Sequence, residues 1–555
     1  MSTLVPAQAG RSAIDLDVRA TPLRAGGALV RDYLAGKSEI GRFFAGHPSD
    51  PAAYLGKADE VDARLDAAAR RHAGGAIQPL GDAAGRLERI IAGDGFFVTT
   101  GQQPGLLGGP LYTLYKALAA VRLANALEEI LGRPVLALFW VGSDDHDWAE
   151  ASQSAVLDGE GLVQRVSVPA PADVPPLPMS RRTWGRGIDA TVADVAERLP
   201  LTPSGDAVRA HLRQAYTADA TVAASFIATL RLLLRDERIA LVDSADPRVR
   251  RAAAPVLRAE LERTSANHEL LLRQTQRLAD AGYPAQVAMV ADTSNLMMED
   301  EHGRDRLVRG RHGWLTRRER TAMADDALLR LLHEEPERFS ANVLLRPVVE
   351  NAIFPTIAYV GGPGEVRYYA QLGCLFRAHG IRPPVVVPRP SVTLIEPAIR
   401  RILDELGMPA DAFTRPFEEL FTDAARQRAP AGVAAGLLRV RTDVTEAFAV
   451  LEEAAARIDP TLQGPVRAAR NRSLREADRA ERRILRQLKR QHGILGMRLR
   501  RAAASLHPDG APQERVFGAL PFLARYGPGL VPAIAAALDL EPDGAAAWDA
   551  SACEG

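Results

Sequence analysis

The segment from Gly95 to Val141 constrains the fold most strongly, because it has the pattern of a complete strand–helix–strand unit. Its second strand, VLALFWV, is apolar at every position, which is typical of a central strand in a parallel sheet. Pro110 suits the first position of the helix between the strands, and Gly132 is expected to end that helix. A later segment with the same order, TIAYV, a glycine–proline turn, a helix and PVVVP, predicts the other half of a doubly wound α/β sheet.

The chain has 555 residues, which is long enough for more than one domain, and its patterns change along its length. Strand signals vanish after about residue 400, and apolar residues at helical spacing among many arginines predict an α-helical hairpin or coiled coil. We therefore predict N-terminal helices with the first half of the core (1–150), insertions (151–340), the second half of the core (341–400), a helical coiled-coil domain (401–506) and a C-terminal segment that packs back on the core (507–555).

The insertions contain shorter segments with strand patterns. FIATLRLLLRDERIALVD predicts a helix followed by a strand at IALVD, residues 239–243. QVAMV, residues 286–290, and the segment around RLVRG, residues 306–310, are predicted to form a small separate sheet.

The composition argues against several classes of protein. Lys plus Arg and Asp plus Glu both number 69, so the formal net charge is zero, which argues against a general nucleic-acid binder. The two cysteines, Cys374 and Cys553, are too few for a disulfide framework or for a zinc site of several thiolates. With no signal-peptide pattern and no apolar run approaching about eighteen residues, we expect a cytoplasmic protein without a membrane span.

The first candidate site is the glycine-rich loop between the first strand and its helix. Glycines allow a ligand to approach the backbone closely, and the N–H groups at a helix start favour an anion. The candidate binding residues are Thr100, Gly101, Gln102, Gln103, Gly108, Gly109 and Tyr112. Lys116 lies one helical turn after Tyr112 and could reach an anion held at the helix start. The loop has neither a Walker nor a GxGxxG pattern, and a tight structural turn is the alternative.

The second candidate site is the charged cluster Asp144, Asp145, His146 and Asp147, which follows VLALFWV. This position is the carboxyl end of a strand, where open α/β sheets bind ligands. The carboxylates and His146 could ligate a metal. Alternatively, His146 could be oriented by a carboxylate in an acid–base or substrate-amine site. The structural alternative is an N-cap cluster for the next helix.

Two further candidate sites follow the later strands. The segment GGPGEVRYYAQL contributes Gly361, Gly362, Gly364, Glu365 and Gln371. Glu365 falls in the first turn of a helix, a position that the helix dipole alone would favour. The segment PRPSVT places Arg389 and Ser391 at a strand end, where they could bind phosphate or be simply solvated. The corners GGPLY and GGPGE are expected to be equivalent turns at one edge of the sheet.

Five segments, in order along nearly the whole chain, resemble the BshC family, the cysteine-adding enzymes of bacillithiol biosynthesis. They are TGQQPGLLGGPLYTLYKALAA, the DHD at residues 145–147, LLRPVVENAIFPTIAYVGGPGEVRYYAQL, VPRPSVTLIEP and QERVFGALPFLARYGP. The resemblance implies a Rossmann-like core similar to class I cysteinyl ligases, with connecting-peptide insertions and a C-terminal coiled coil that pairs two subunits. It also implies a ligase that joins L-cysteine to the amine of glucosaminyl malate, which is the last step of bacillithiol biosynthesis.

The implied reaction makes ATP the expected cofactor, and no metal is expected. The chain lacks the HIGH and KMSKS signatures of class I synthetases, and GGPLY and PRPS stand in their positions. Where the family often has Glu before the DHD, this chain has Asp144, which keeps the charge but shortens the reach.

The resemblance and the candidate sites together give a predicted mechanism. His146, or one of the neighbouring Asp145 and Asp147, would take a proton from the amine. Lys116 and the Gly108–Gly109 corner would hold phosphate or carboxylate, and Arg389 with Ser391 would steady a leaving phosphate. The alternatives are a metal-dependent hydrolase that uses the acidic cluster and a non-catalytic coiled-coil scaffold.

Overall fold

The computed structural model describes residues 14–21, 27–170, 175–318 and 322–538. The chain divides into two compact units, and each is described by itself. Unit 1 is drawn from residues 1–156, 164–394 and 514–555, and unit 2 from residues 157–163 and 395–513. The five-part division predicted from the sequence is finer than this and stays a prediction.

The described residues form strands β1 to β14. Their bounds are Asp17–Thr21, Gln78–Pro79, Phe96–Gln102, Val135–Val141, Gln153–Leu157, Val163–Ser167, Ile239–Asp243, Thr293–Asp300, Gly303–Gly310, Gly313–Thr316, Phe339–Ala341, Thr356–Gly361, Val385–Pro388 and Ser391–Ile395. The main sheet of unit 1 has the order β13-β12-β3-β4-β7-β2. Its strands are parallel except β2, which runs antiparallel to β7. The predicted doubly wound sheet is therefore confirmed.

The strand order, which could not be predicted, places a switch point between β3 and β12. From β3 the chain continues to β4 and β7 on one side, and it returns to the other side of β3 with β12 and β13. In sheets of this kind ligands bind outside the carboxyl ends of the strands where the order reverses. The prediction for β7 is corrected. Its segment was predicted to belong to the insertions, but β7 lies in the main sheet, where its uniformly apolar IALV segment is buried beside β4.

Helices pack against the main sheet of unit 1. Helices α1 to α15 are Gly27–Leu34, Ser38–Gly41, Pro51–Arg64, Ala67–Gly74, Ala84–Ile91, Leu111–Leu131, Trp148–Ala151, Gly187–Arg198, Pro203–Ala215, Val222–Leu233, Pro247–Glu262, Thr264–Asp280, Asp325–Glu334, Arg346–Ile353 and Pro363–Ala378. Helix α6 begins directly after Pro110 and ends at Gly132, which has the left-handed conformation that glycine adopts without strain. The core contains apolar side chains from the strands, including Phe97, Leu136 and Val386.

A second sheet of unit 1 has the order β10-β9-β8-β11 and is antiparallel. RLVRG lies in β9, as predicted, but the prediction that QVAMV is its partner is wrong. The partner is β8, which begins at Thr293. The N–H groups of Gln286 and Val287 donate instead to Gln371 Oε1 on α15, at 3.2 and 3.0 Å, so this part of the segment is held as a loop.

Unit 2 consists mainly of helices. Helices α16 to α20 are Pro397–Leu406, Phe417–Gln427, Ala431–Ile458, Gln463–Gln491 and Gly493–Leu506. Helices α18 and α19 form the predicted antiparallel hairpin. Arg441 of α18 forms ion pairs with Asp478 and Glu481 of α19, at 2.8 and 2.6 Å. The apolar core of the unit includes Leu403 and Leu499.

The chain then re-enters unit 1. Helices α21 to α23, which follow unit 2 in the chain, are Gln513–Val516, Leu520–Tyr526 and Leu530–Ala537. None of the helices in the described part of the chain combines the length and the apolar character needed to cross a bilayer.

Candidate functional site

A cavity of about 690 Å³ lies at the carboxyl ends of β3, β4 and β12 in unit 1. It therefore occupies the switch point of the main sheet. The residues predicted from the sequence that line it are Gly101, Gln102, Gln103, Tyr112, Lys116, Asp144, Asp145, Gly362, Gly364, Glu365 and Arg389. The cavity thus brings together residues from all four candidate sites, and the roles assigned to them stay predictions.

Lys116, on α6, joins the end of β3 to the start of α15. Its ammonium lies 2.6 Å from Glu365 Oε2, and it donates to the Gly101 carbonyl and, at 3.3 Å, to Gln102 Oε1. Burial lowers the pKa of Lys116. Burial acts to raise the pKa of Glu365, but the Lys116 ammonium together with the hydrogen bonds from Tyr359 and the Gly362 N–H holds that pKa below its ordinary value. Because its three donors already have acceptors, Lys116 links protein groups, and the predicted reach toward an anion is not supported.

A second buried network, which was not predicted from the sequence, adjoins this pair. Glu350, on α14, is fully buried and accepts hydrogen bonds from Thr99 Oγ1 and, at 2.8 Å, from Arg346 Nη1. Arg346 Nη2 donates to the Tyr359 hydroxyl at 3.2 Å. Tyr359 in turn donates to Glu365 Oε1. Polar side chains therefore connect α14 to the carboxyl end of β12 without a break.

Asp144 faces arginine side chains. Its Oδ1 accepts a hydrogen bond from Ser244 Oγ at 2.6 Å, and its Oδ2 lies 3.8 Å from Arg250 and 3.6 Å from Arg304. Burial acts to raise the pKa of Asp144, but the guanidinium groups of Arg304 and Arg250 together with hydrogen bonds, including that from Ser244, lower the pKa below its ordinary value. Asp144 is therefore an ionised partner for two buried cations.

The rest of the acidic cluster after β4 has local partners. Asp147 Oδ1 accepts the Glu150 N–H at 3.1 Å and caps α7, as the structural alternative predicted. Asp145 lines the cavity and accepts a hydrogen bond from Gln103 Nε2. The His146 ring is not part of the cavity wall, and its Nδ1 lies 3.9 Å from Asp145 Oδ1. The four clustered side chains therefore point to different partners.

Three carboxylates from this region reach the cavity, Asp144, Asp145 and Glu150, and the last was not predicted. Burial, and then repulsion from Asp145 and Asp147, raises the pKa of Glu150. Across the described ranges, no group of three or more His, Cys, Asp or Glu side chains is placed to hold a metal ion. The arrangement favours acid–base chemistry on a bound ligand over the alternative of metal ligation by this cluster.

The predicted equivalence of the two glycine corners is wrong. Gly108 and Gly109 are buried at φ values of 84° and 72°, and they are not part of the cavity wall. A Cβ at Gly108 would lie 2.7 Å from Thr229 Cγ2 on α10, so close packing requires the glycine. The Leu111 N–H at the start of α6 donates to the Phe517 carbonyl at 2.7 Å. Close packing accounts for the two glycines at this corner, and no bound anion is needed to explain them.

Three other predicted binding residues are held inside the fold, away from the cavity wall. Thr100 Oγ1 donates to the Val360 carbonyl at 2.8 Å and ties β3 to β12. The Gly361 carbonyl accepts the Arg389 N–H at 2.8 Å. Gln371 fixes the QVAMV loop, as described above. Their polar groups are used within the protein, so direct ligand contacts from these residues are not supported.

Arg389 and Ser391 converge on Glu514 of α21, a residue that was not predicted. Arg389 forms a buried ion pair with Glu514 at 2.5 Å. Ser391 Oγ donates to Glu514 Oε2, also at 2.5 Å. The predicted contact of Ser391 with a phosphate is not supported, because this hydroxyl is buried and already has an acceptor.

The sequence contains a pattern that could have predicted the paired charges of Arg346, Glu350 and Glu514. Arg346 and Glu350 are four residues apart in LLRPVVENAIF, and Glu514 lies in QERVFGALPF. Both segments are mostly apolar, and a charge within such a run is expected to be buried and paired.

Two arginines of the cavity wall, Arg306 and Arg515, have no ion-pair or side-chain hydrogen-bond partner among the described residues. Burial lowers the pKa of Arg306, and the nearby Arg317 lowers it further. Guanidinium groups bind carboxylates and phosphates through paired N–H donors. The donor set of the cavity therefore fits an anionic ligand, and the phosphates of ATP would meet the same requirement.

The fold defines a Rossmann-like protein with a cavity at the switch point of its sheet and a helical domain. Residues 16–390 match the N-terminal Rossmann-like domain of the family described as "Bacillithiol biosynthesis BshC". Residues 392–541 match the C-terminal coiled-coil domain of the same family. The chain therefore belongs to the BshC family, and the resemblance found in its sequence is confirmed.

Proteins of similar sequence carry the name "Putative cysteine ligase BshC". One from Chlorobaculum tepidum is 33% identical over 456 residues, covering 80% of both chains. Another from Salinibacter ruber is 31% identical and covers 80% of this chain and 81% of its own. A third, from Koribacter versatilis, is 30% identical and covers 91% of this chain and 94% of its own. These names support a ligase.

Proposed function

We propose that this chain is a ligase that joins L-cysteine to the amine of glucosaminyl malate through an amide bond, as the last step of bacillithiol biosynthesis. The observation that carries the proposal is the charge distribution of the cavity wall. Arg306 and Arg515 are cations without a carboxylate partner, and Glu150 is a carboxylate without a cation partner, among the described residues. The arginines would bind carboxylate or phosphate groups, and Glu150 would receive the amine.

Amide formation requires a neutral amine to attack an activated carbonyl carbon of cysteine. One proton leaves the nitrogen, and a leaving group departs from the carbon. We propose ATP as the cofactor, which would supply that leaving group. Holding the two reactants in one cavity would supply much of the rate by alignment.

We place the proton acceptor at Glu150. Its raised pKa makes it a stronger base than an ordinary carboxylate, which suits removal of a proton near neutral pH. Asp145, held by Gln103, would orient the ammonium form of the amine before that step. His146 was the predicted base, but Glu150 and Asp145 line the cavity and the His146 ring does not.

The test is to incubate the purified full chain with L-cysteine, glucosaminyl malate and ATP under reducing conditions and to follow bacillithiol by mass spectrometry. We expect product from the wild type and a loss of about a hundredfold in kcat for Glu150→Gln. Glu129→Gln, at an exposed position of α6, is the matched control and should keep the wild-type rate. The proposal fails if the wild type gives no product and deletion of the gene leaves cellular bacillithiol unchanged.

The two alternative functions make different predictions. A metal-dependent hydrolase should purify with stoichiometric metal that is lost in His146→Ala. The separate partners of Asp144 and Asp147 do not favour it. A non-catalytic scaffold should bind neither ATP nor glucosaminyl malate in calorimetry.

We also propose that the chain forms homodimers through unit 2. Helix α18 exposes the apolar side chains of Leu438, Val450 and Ile458, and α20 exposes Ile494. Apolar side chains repeated along long helices are expected to be covered by a partner. Replacing Val450 and Ile458 together by Glu should convert a dimer to a monomer in light scattering. Replacing Leu201, an exposed apolar residue of unit 1, should not, and a monomeric wild type would contradict the proposal.

A further inference from the structure

Arg389 and Glu514 form a buried ion pair of fixed geometry in unit 1. Glu514 Oε1 accepts from Arg389 Nη2 at 2.5 Å, and Oε2 accepts from Nη1 at 2.8 Å, so two parallel bonds hold the guanidinium plane. The Ser391 hydroxyl adds a bond to Oε2 at 2.5 Å. The two charged side chains are 2% and 6% exposed, and together these contacts fix one orientation of the guanidinium.

This orientation leaves one donor of Arg389 without a partner. Nε is buried and makes no hydrogen bond within the described part of the chain, although Arg389 lines the cavity. The guanidinium carbon lies 5.5 Å from the centroid of the Tyr112 ring, which also belongs to the cavity wall. A Cβ on Gly362 would lie 3.8 Å from Nε, in van der Waals contact with this donor.

We propose that Glu514 is a positioning residue, which aims the Nε–H of Arg389 into the cavity as a hydrogen-bond donor to an oxygen of the substrate. The inference rests on the proposed function, because it concerns the same cavity. Glu514 neutralises the guanidinium, so the Nε–H suits a carbonyl or ester oxygen as well as an anion. Net attraction for an anion is left to Arg306 and Arg515, which have no carboxylate partner among the described residues.

The competing explanation is that the pair only stabilises the fold. A buried ion pair usually adds little net stability compared with apolar side chains of the same volume, because desolvation offsets the attraction. If Glu514 orients the Nε–H of Arg389, that role explains why an ion pair, and not a pair of apolar side chains, is present here. The two explanations differ in whether the direction of the guanidinium matters once the pair is present.

Four variants of the full chain separate these explanations, and a fifth, Glu514→Gln, breaks the pair and is the reference for stability. Arg389→Lys keeps the charge but removes Nε. Exchange of the partners, Arg389→Glu with Glu514→Arg, keeps an ion pair but moves the guanidinium. Gly362→Ala keeps the pair and places a methyl group beside Nε. Glu60→Gln is the control, because it breaks the ion pairs of the half-buried Glu60 with Lys57 and Arg64, and none of these residues is part of the cavity wall.

Binding of glucosaminyl malate and of ATP is measured separately by calorimetry, and stability by thermal unfolding. We expect Arg389→Lys, Gly362→Ala and the exchanged pair each to weaken the same ligand at least about tenfold. The exchanged pair should regain the stability that Glu514→Gln loses, and Glu60→Gln should lower stability without changing affinity. Wild-type affinity in Arg389→Lys or in the exchanged pair would overturn the inference.

A crystal structure of Glu514→Gln decides the inference independently of the proposed function. If the wild type binds neither ligand and makes no bacillithiol, the proposed function fails, but the position of Arg389 can still be read. The guanidinium should leave its place beside Tyr112 in this variant. A guanidinium that stays about 5.5 Å from the Tyr112 ring would show that Glu514 does not position it.

Discussion

The corners that follow β3 and β12 share the tripeptide Gly-Gly-Pro but differ in structure and use. After β3, eight residues precede α6, and they include a turn with positive φ at Leu107, Gly108 and Gly109. After β12, only Gly362 precedes α15, and its backbone is extended. The first glycine pair packs against α10, whereas Gly362 and Gly364 line the cavity.

The difference shows that a glycine acquires its role from the element that lies against it. At the first corner the missing side chain makes room for Thr229. At the second it leaves space beside the cavity, and Glu365 accepts the Gly362 N–H at 2.7 Å. Lys116 connects the two corners, since it stands on the helix after the first and pairs with Glu365 after the second.

The largest effect is expected from breaking that connection. Lys116→Met would leave the Glu365 carboxylate without its cation and would free the Gly101 carbonyl, at a cost of about 3 to 5 kcal/mol in the free energy of unfolding. Chemical denaturation measures the loss. The double variant Lys116→Met with Glu365→Gln should recover part of it, because no unpaired charge then remains. A loss below about 1 kcal/mol would show that the pair does not join the corners.

The next effect separates packing from ligand binding. Gly108→Ala should destabilise the fold by about 1 to 3 kcal/mol, because it combines a strained φ of 84° with a 2.7 Å contact to Thr229. Gly132→Ala is the matched control, since its φ of 62° is also positive but nothing lies within 4 Å of its Cβ position. Calorimetry on folded Gly108→Ala should give wild-type affinity for glucosaminyl malate. A weakened affinity for glucosaminyl malate would show that this corner contributes to ligand binding.

A smaller effect is expected from removing one hydroxyl at each corner. Tyr359→Phe removes a donor to Glu365, and Tyr216→Phe removes a hydroxyl that bonds to Thr229 beside the first corner. Each should cost about 1 kcal/mol in the free energy of unfolding. Ligand affinity should fall only in Tyr359→Phe, because Tyr359 lines the cavity and Tyr216 does not. Equal affinities would contradict the division of roles.

The smallest effect is a pH dependence at the end of β4, which lies outside both corners. Burial, and then the Arg304 guanidinium, lowers the pKa of His146 below its ordinary value of 6.5. The unfolded chain therefore binds more protons in this range, so the contribution to stability is present above pH 6.5 and is lost as the pH falls through the folded pKa. NMR titration should give a pKa below 6.5 that rises in Arg304→Met. A pKa at or above 6.5 in the wild type would contradict the prediction.

Local patterns in the sequence were enough to predict β3, β4, β12 and α6, which carry part of the cavity wall. VLALFWV and TIAYV are apolar throughout because they form central strands, and a period of about 3.6 residues identified α6. The strand order was beyond local patterns, because β12 pairs with β3, which lies more than 250 residues earlier in the chain. The cavity forms from that pairing.

The candidate site was predicted only in part for the same reason. Gln102, Asp145 and Glu365 were found because polar residues that follow buried strands in a parallel sheet gather at one edge. Whether such a residue faces the cavity depends on its partner, and those of Thr100 and Ser391 are far from them in sequence. Both corners have the same Gly-Gly-Pro sequence. The sequence alone therefore could not show which glycines pack against a neighbouring helix and which line the cavity.

The distance along the chain between Arg389 and Glu514 has a consequence for how the protein is made. The two residues are 125 positions apart, and nearly all of unit 2 is synthesised between them. At about 5 to 20 residues per second, Arg389 would be synthesised on the order of ten seconds before its carboxylate partner. The sheet can form before then, but the cavity wall is completed only after Glu514 and the neighbouring Arg515, which lines the cavity, have been synthesised. A ribosome that stalls within unit 2 would therefore leave a nascent chain with a main sheet and an unfinished cavity.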